Sequence, residues 1–264
     1  MNSKLLGFVL GSCLVIAGIL YFSASKPKDD VLKVGVTAGP HAMIMAKIKE
    51  VAAKANFKIN IVEFNDFVQP NEALHQGEID VNSFQHGQFL DSHVKDRGYK
   101  IASVVKTVLM PIGIYSKKIK DVHAIKAGAK VGIPNDPTNG SRALLLLQKA
   151  GLIELKEVLS PTILDVLINP KKIKIIEIEA PQLPRSMEDL DLAVINTDWV
   201  VLAGMDPKKA LMTEDKESPY ANVIAVKKGN ESDPRIKKLI EIYHSEPVKK
   251  YIESQFKGNL IPLW

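Results

Sequence analysis

Hydrophobic and polar positions divide the chain beyond residue 30 into short apolar runs separated by turn-forming and helical stretches, and the runs come in two similar series. Leu32-Lys33-Val34-Gly35-Val36 is echoed by Ala129-Lys130-Val131-Gly132-Ile133, and 58–64 (KINIVEF) is echoed by 172–178 (KIKIIEI). Asp80-Val81-Asn82 has its counterpart in 191–196, and 111–118 has its own in 222–228. Each echo lies roughly one hundred residues downstream of its original, a spacing too uneven for a solenoid but natural for two related lobes. Helical patterns over 44–55, 71–76, 142–150 and 233–256 separate the runs. Strands alternating with helices predict parallel or mixed sheets covered on both faces, here an α/β fold of two lobes. The last helical segment is expected to return to the first lobe, so that the chain crosses between lobes at least twice and forms a hinge. Ligands of such open sheets bind beyond the carboxyl ends of the strands.

The stretch from Pro134 to Arg142 stands at one of those ends. Its prolines, Gly140 and small polar residues make a turn, with Thr138 or Asn139 as the expected helix N-cap, and it runs straight into Ala143-Leu144-Leu145-Leu146-Leu147. Arg142 is thereby expected in the first turn, where the helix dipole disfavours a cation. An anion, above all a planar carboxylate, would compensate for that placement. A neighbouring Asp or Glu is the plainer partner. The first-lobe counterpart of the loop, 37–41 (TAGPH), carries no arginine, and that asymmetry favours a ligand.

Composition adds limits. The chain has 264 residues and a net charge of +5, from 35 basic and 30 acidic side chains scattered among one another. No basic stripe with interleaved aromatics appears, so nucleic acid is not an expected partner. Residues 1–25 are a different material, a short basic start followed by an apolar run from Leu5 to Phe22, and read as an export signal or retained anchor. Leu10-Gly11-Ser12-Cys13 resembles a lipobox with Cys13 as the lipidated residue, Ser23-Ala24-Ser25 offers ordinary signal cleavage, and an uncleaved tether is the third route. Cys13 is the one cysteine, so the exported part is expected to have neither disulfides nor a thiol nucleophile. Residues 26–30 read as a polar linker.

The remaining strand ends offer a coherent set. Phe67, Phe84, His86 and Phe89 come from the first lobe, Asn139, Arg142 and Asn196 from the second, and Asn222 from the crossing. Rings on one side with amides and a guanidinium on the other suit an amino acid. Its carboxylate would meet Arg142 and Asn139, its ammonium the side-chain oxygens of Asn196 and Asn222, and its tail the rings. Singly, each has a duller explanation: the phenylalanines as core, His86 as a satisfied structural histidine, Asn196 as a helix cap and Asn222 as a turn residue. No paired carboxylates, nucleophile elbow, phosphate loop or metal-ligand spacing accompanies them, so neither catalysis nor a cofactor nor a metal is expected.

Several of these stretches resemble the NlpA lipoprotein family, the substrate-binding components of methionine ABC transporters: 33–37, 64–66, 70–74, 82–86, 134–142, 179–186, 193–197 and 215–222. The resemblance implies a two-lobed periplasmic-binding-protein fold of type II. The expected division is a signal or anchor at 1–25, a first lobe of 26–112 with 222–264, and a second lobe of 113–221. It also implies capture of L-methionine and delivery to a membrane permease driven by a cytoplasmic ATPase, with the protein held at the periplasmic face of the inner membrane by lipid or anchor, or soluble in the periplasm. By position, the family's carboxylate contact falls on Arg142 with Asn139 nearby, its amino-group contacts on Asn196 and Asn222, and its thioether-packing rings on Phe67, Phe84, His86 and Phe89. The family often has tyrosine where this chain has Phe67 and Phe89, and its proline-tyrosine after the histidine is replaced by Gln88-Phe89. A more apolar pocket opens the alternatives of another apolar amino acid or a methionine dipeptide. A cleft enzyme or a surface interaction protein on the same fold are readings of a different class.

Overall fold

The computed structural model describes residues 31–264, so the proposed signal, Cys13 and the linker lie outside the described residues. In chain order the elements are β1 (Val31–Thr37), α1 (Pro40–Ala53), β2 (Lys58–Phe64), α2 (Gln69–Gln76), β3 (Val81–His86), α3 (Gly87–Arg97), β4 (Ile101–Leu109) and β5 (Gly113–Tyr115). There follow β6 (Lys130–Pro134), α4 (Pro137–Lys149), β7 (Glu154–Leu155), β8 (Val166–Ile168), β9 (Lys174–Ile178), α5 (Leu183–Ser186), β10 (Leu192–Ile195) and α6 (Thr197–Leu202). The last are β11 (Met212–Thr213), β12 (Ala221–Lys227), α7 (Pro234–Tyr243), α8 (Glu246–Phe256) and β13 (Ile261–Pro262).

Two main sheets result, ordered β13-β4-β12-β3-β1-β2 and β11-β5-β10-β6-β9. The repeat is visible in their centres. β2, β1 and β3 are parallel neighbours in the first sheet, as β9, β6 and β10 are in the second. Each trio is completed by an antiparallel strand supplied from the other end of the chain: β12 beside β3, and β5 beside β10. The strand closing each sequence series therefore joins the opposite sheet. The chain crosses between sheets twice, at 110–112 and again at 214–220.

Both sheets are covered on both faces. Leu32, Val34 and Val36 of β1 pack with α1, α7 and α8 on one side, while Leu74 and Leu90 of α2 and α3 close the other. In the second lobe Val131 and Ile133 pack against the leucines of α4, and Leu183 and Trp199 of α5 and α6 cover the reverse face. Full coverage explains why β3 is buried at every position and shows no alternation of polar and apolar residues. Gly35 and Gly132 occupy equivalent places in β1 and β6. A Cβ on Gly35 would stand 2.4 Å from Ile79 Cδ1, and one on Gly132 would stand 2.5 Å from Leu190 Cδ1. Both glycines let a neighbouring side chain lie directly on the strand.

Several expectations are corrected, and two elements are new. The helix after Pro134 starts earlier, at Pro137, with Asp136 as N-cap through a bond from Asn139 N–H, so Arg142 sits in its second turn. The segment 233–256 is two helices, broken at His244 and Ser245. β4 and α3 have no counterpart among the predicted elements. α3 is capped by His86, whose Nδ1 accepts from Phe89 N–H, and histidine is a weak cap signal in sequence.

Gly132→Ala should destabilise the protein by about 1–3 kcal/mol, the range for overpacking. A urea midpoint shifted down at constant slope would show it, and an unchanged midpoint would mean that Leu190 yields freely.

Candidate ligand-binding site

A pocket lies between the two sheets, lined by strand ends and helix starts of both. All eight residues singled out in the sequence line it: Phe67, Phe84, His86, Phe89, Asn139, Arg142, Asn196 and Asn222. Gln85, Met110, Thr197 and Asp198 complete the lining.

The aromatic wall belongs to the first lobe. Asp66 Oδ1 accepts the N–H groups of Val68 and Gln69, a turn that presents Phe67 just before α2. Phe67, Phe84 and Phe89 stand 6.0–6.3 Å apart between ring centroids, in tilted and edge-on arrangements that favour the ring quadrupoles. Phe67 also reaches Trp199 of α6 at 5.1 Å, which ties the cage to the second lobe. Behind the wall Asn71 and Gln85 exchange amide hydrogen bonds at 2.7 and 2.6 Å, and Asn82 donates to Asn71 Oδ1 at 2.9 Å. That satisfied network fixes the strand carrying Phe84 and His86. It also accounts for Gln85 as a support rather than a free donor.

His86 proves more than a packing ring. Because its Nδ1 accepts from Phe89 N–H, the neutral ring carries its proton on Nε2, and Nε2 is buried without a partner among the described residues. Burial, reinforced by the Arg142 charge, lowers its pKa to about 3. The ring is thus a neutral donor beside a cation.

Arg142 requires the largest correction. The sequence favours a ligand over an acidic protein partner, but Glu214 is such a partner: Nε donates to Oε1 at 2.7 Å, Nη2 to Oε2 at 2.5 Å. Nη2 also donates to the carbonyl of Met110, and Tyr220 lies under the guanidinium at 4.6 Å. Nη1 takes no acceptor among the described residues. A buried guanidinium with one edge held and one nitrogen open remains a competent carboxylate donor, now rigid and already paired. Seventy-two positions separate Arg142 from Glu214, so no local pattern reveals the pair.

The amides divide their work. Asn139 Nδ2 donates to Asp136, and its Oδ1 accepts from Asn196 Nδ2 at 2.7 Å. Asn139 is therefore engaged at both ends, and what it supplies is the orientation of Asn196. The side chain of Asn196 does not cap α6, and its Oδ1 is buried without a donor. Asn222 Nδ2 pairs with His41 Nε2 at 3.2 Å, which leaves the amide oxygen without a donor among the described residues. Trp199, Asp198, Glu214 and Met110 were not legible as site residues. Among the described residues no group of three or more metal-ligating side chains occurs, and no helix is long and apolar enough to cross a membrane.

The model of the NlpA lipoprotein family matches residues 32–264. The chain belongs to the NlpA lipoprotein family. It is 45% identical over 264 residues to the D-methionine-binding lipoprotein MetQ of Salmonella typhi, spanning 98% of this chain and 96% of that protein. It is 46% identical over 239 residues to MetQ of Escherichia coli K12, 88% of each chain. A nutrient binding protein from Burkholderia cenocepacia, solved bound to methionine, superposes with a TM-score of 0.86 at 47% identity, covering 88% of this chain and all of that one. The fold is accordingly that of the two-lobed periplasmic binding proteins, and these relatives are named as binding proteins and lipoproteins, not as enzymes.

Removing Glu214 would leave Arg142 as a buried unpaired cation, because the side chains are 3% and 11% exposed. Glu214→Ala should destabilise the ligand-free protein by about 3 kcal/mol or more. A denaturant midpoint within error of the parent would show that the pair has no structural role.

Proposed function

We propose that this protein is the substrate-binding component of an ABC importer that takes up methionine, which it encloses in the cavity between its lobes. The observation that carries the reading is the composition of that cavity, with aromatic rings at one side and an open guanidinium nitrogen and unpartnered amide oxygens at the other. A relative bound to methionine, at nearly half identity, supports it. The ligand carboxylate would meet Arg142 Nη1 and His86 Nε2, with Asn139 holding Asn196 in place. The ammonium would meet the oxygens of Asn196 and Asn222, and the thioether would pack among Phe67, Phe84 and Phe89.

The lobes would be 26–112 with 222–264, and 113–221. Ligand contacts with both would favour the closed state, since each is complete only there. Loaded protein would deliver methionine to a permease with its cytoplasmic ATPase. The protein would work at the periplasmic face of the inner membrane, tethered through lipidated Cys13 or through its N-terminal segment. Curated relatives carry D-methionine in their names, whereas the family resemblance pointed to the L-enantiomer, so both enantiomers belong in the test.

Methionine should raise the melting temperature of the exported domain, and at a thousandfold excess over Kd the stabilisation is about 4 kcal/mol. An absence of any shift with L-methionine, D-methionine and methionine dipeptides would contradict the assignment. Arg142→Lys keeps the charge that pairs with Glu214 but loses the fork, and should weaken methionine binding roughly tenfold. Unchanged affinity by calorimetry would remove Arg142 from the carboxylate contact.

A further inference from the structure

Besides the guanidinium, the cavity is lined by an acid that the amino-acid reading has not used. Asp198 lies in the first turn of α6, is 5% exposed and lines the cavity. Its Oδ1 makes no hydrogen bond. The nearest basic group is His41 Nε2 of α1 at 3.4 Å, across the lobe boundary. That contact is not an ion pair, because burial lowers His41 to about 3 and keeps the ring neutral. The other charged group that bears on Asp198 is Arg142, whose charge is already matched by Glu214. His86, the remaining titratable group lining the cavity, is neutral as well. A buried carboxyl without a cation is unstable as the anion, and burial lifts Asp198 to about 7.

Asp198 is two residues beyond Asn196, whose Oδ1 is also buried and unpartnered. Asn222, with a free amide oxygen, is hydrogen-bonded to the same His41 nitrogen that faces Asp198. Three acceptor residues thus line the same cavity, and an ammonium group has three donors. We propose that Asp198 is the anionic partner of the ligand's ammonium group, making the cavity selective for a zwitterion through a charge at each end. The proposal rests on the reading of the cavity as an amino-acid site. With a neutral acceptor set alone, the ammonium would be hydrogen-bonded but its positive charge would stay uncompensated in the cavity. Asp198 adds the opposite charge, so that donor and acceptor are both ionised in a site shielded from water.

The test compares methionine with 4-(methylthio)butanoate, which keeps the carboxylate and thioether but lacks the amino group. Calorimetry at pH 8 on the parent and on Asp198→Asn should show methionine binding weakened roughly 10- to 100-fold by the substitution, the range of one hydrogen bond to a charged group. The desamino acid should bind the two proteins within about threefold. Equal losses for both ligands, or no loss for methionine, would overturn the proposal and leave the amino-acid reading intact. If the parent bound neither ligand, the amino-acid reading itself would fall, and the proposal with it.

The parent protein gives a second reading that does not depend on the variant's folding. Below pH 7 the vacant site holds Asp198 protonated, and an arriving ammonium favours its ionised form. Methionine binding near pH 6, measured in buffers of different ionisation enthalpy, should therefore release close to one proton. The desamino acid should release none. Equal proton release with the two ligands would contradict the assignment.

Discussion

The guanidinium of Arg142 is where fold and site share atoms. Its fork grips Glu214, which follows β11, and its Nη2 also holds the carbonyl of Met110, which follows β4. Those two residues open the two segments that cross between the lobes. Glu214 further accepts from Ile112 N–H, and its own N–H donates to the Ile112 carbonyl, so the crossings are stitched to each other beside the cavity. A charge so deeply buried is tolerable only with such a partner. The partner explains why a cation can wait in an apolar interior for a second carboxylate. It also makes the hinge and the proposed head-group contact one structure, so that a change at either end is felt at the other.

The internal repeat supplies the frame on which that structure is built. Equivalent parallel trios, equivalent glycines at 35 and 132, and equivalent turns entering helices at Pro40 and Pro137 give the two lobes one plan. What differs is chemistry at the strand ends. The first lobe supplies Phe67, Phe84 and Phe89 on a backbone fixed by the Asn71–Gln85 amides. The second supplies Arg142, Asn196 and Asp198 from two helix starts, α4 and α6. Gly39, at a positive φ of 91°, lets the start of α1 pass close to the Asp198 carbonyl, which brings His41 into the same corner.

Much of this was readable from sequence because it is local or periodic. Strand runs, the repeat, and asparagines, aromatics and arginine at strand ends all leave marks within a few residues, and all eight candidate residues line one cavity. What was not readable is of two kinds. Pairings between distant positions leave no local trace, and Arg142 with Glu214 is the chief example. Other residues had a sufficient ordinary explanation. Asp198 reads as an acid in the first turn of a helix, where the dipole favours it, so nothing marks it as buried and lacking a hydrogen bond at Oδ1. The break between α7 and α8 was legible in hindsight, since Ser245-Glu246-Pro247 is an N-terminal helix signal inside an otherwise continuous helical pattern.

The central claim is that an amino acid lies across the cavity with its head group toward Arg142, Asn196 and Asp198 and its side chain among Phe67, Phe84 and Phe89. Co-crystallisation with free selenomethionine tests the direction of the ligand, because anomalous scattering locates its selenium independently of the protein atoms. The account predicts a selenium peak enclosed by Phe67, Phe84 and Phe89. A peak beside Arg142 and Glu214, or outside the cavity, would contradict it.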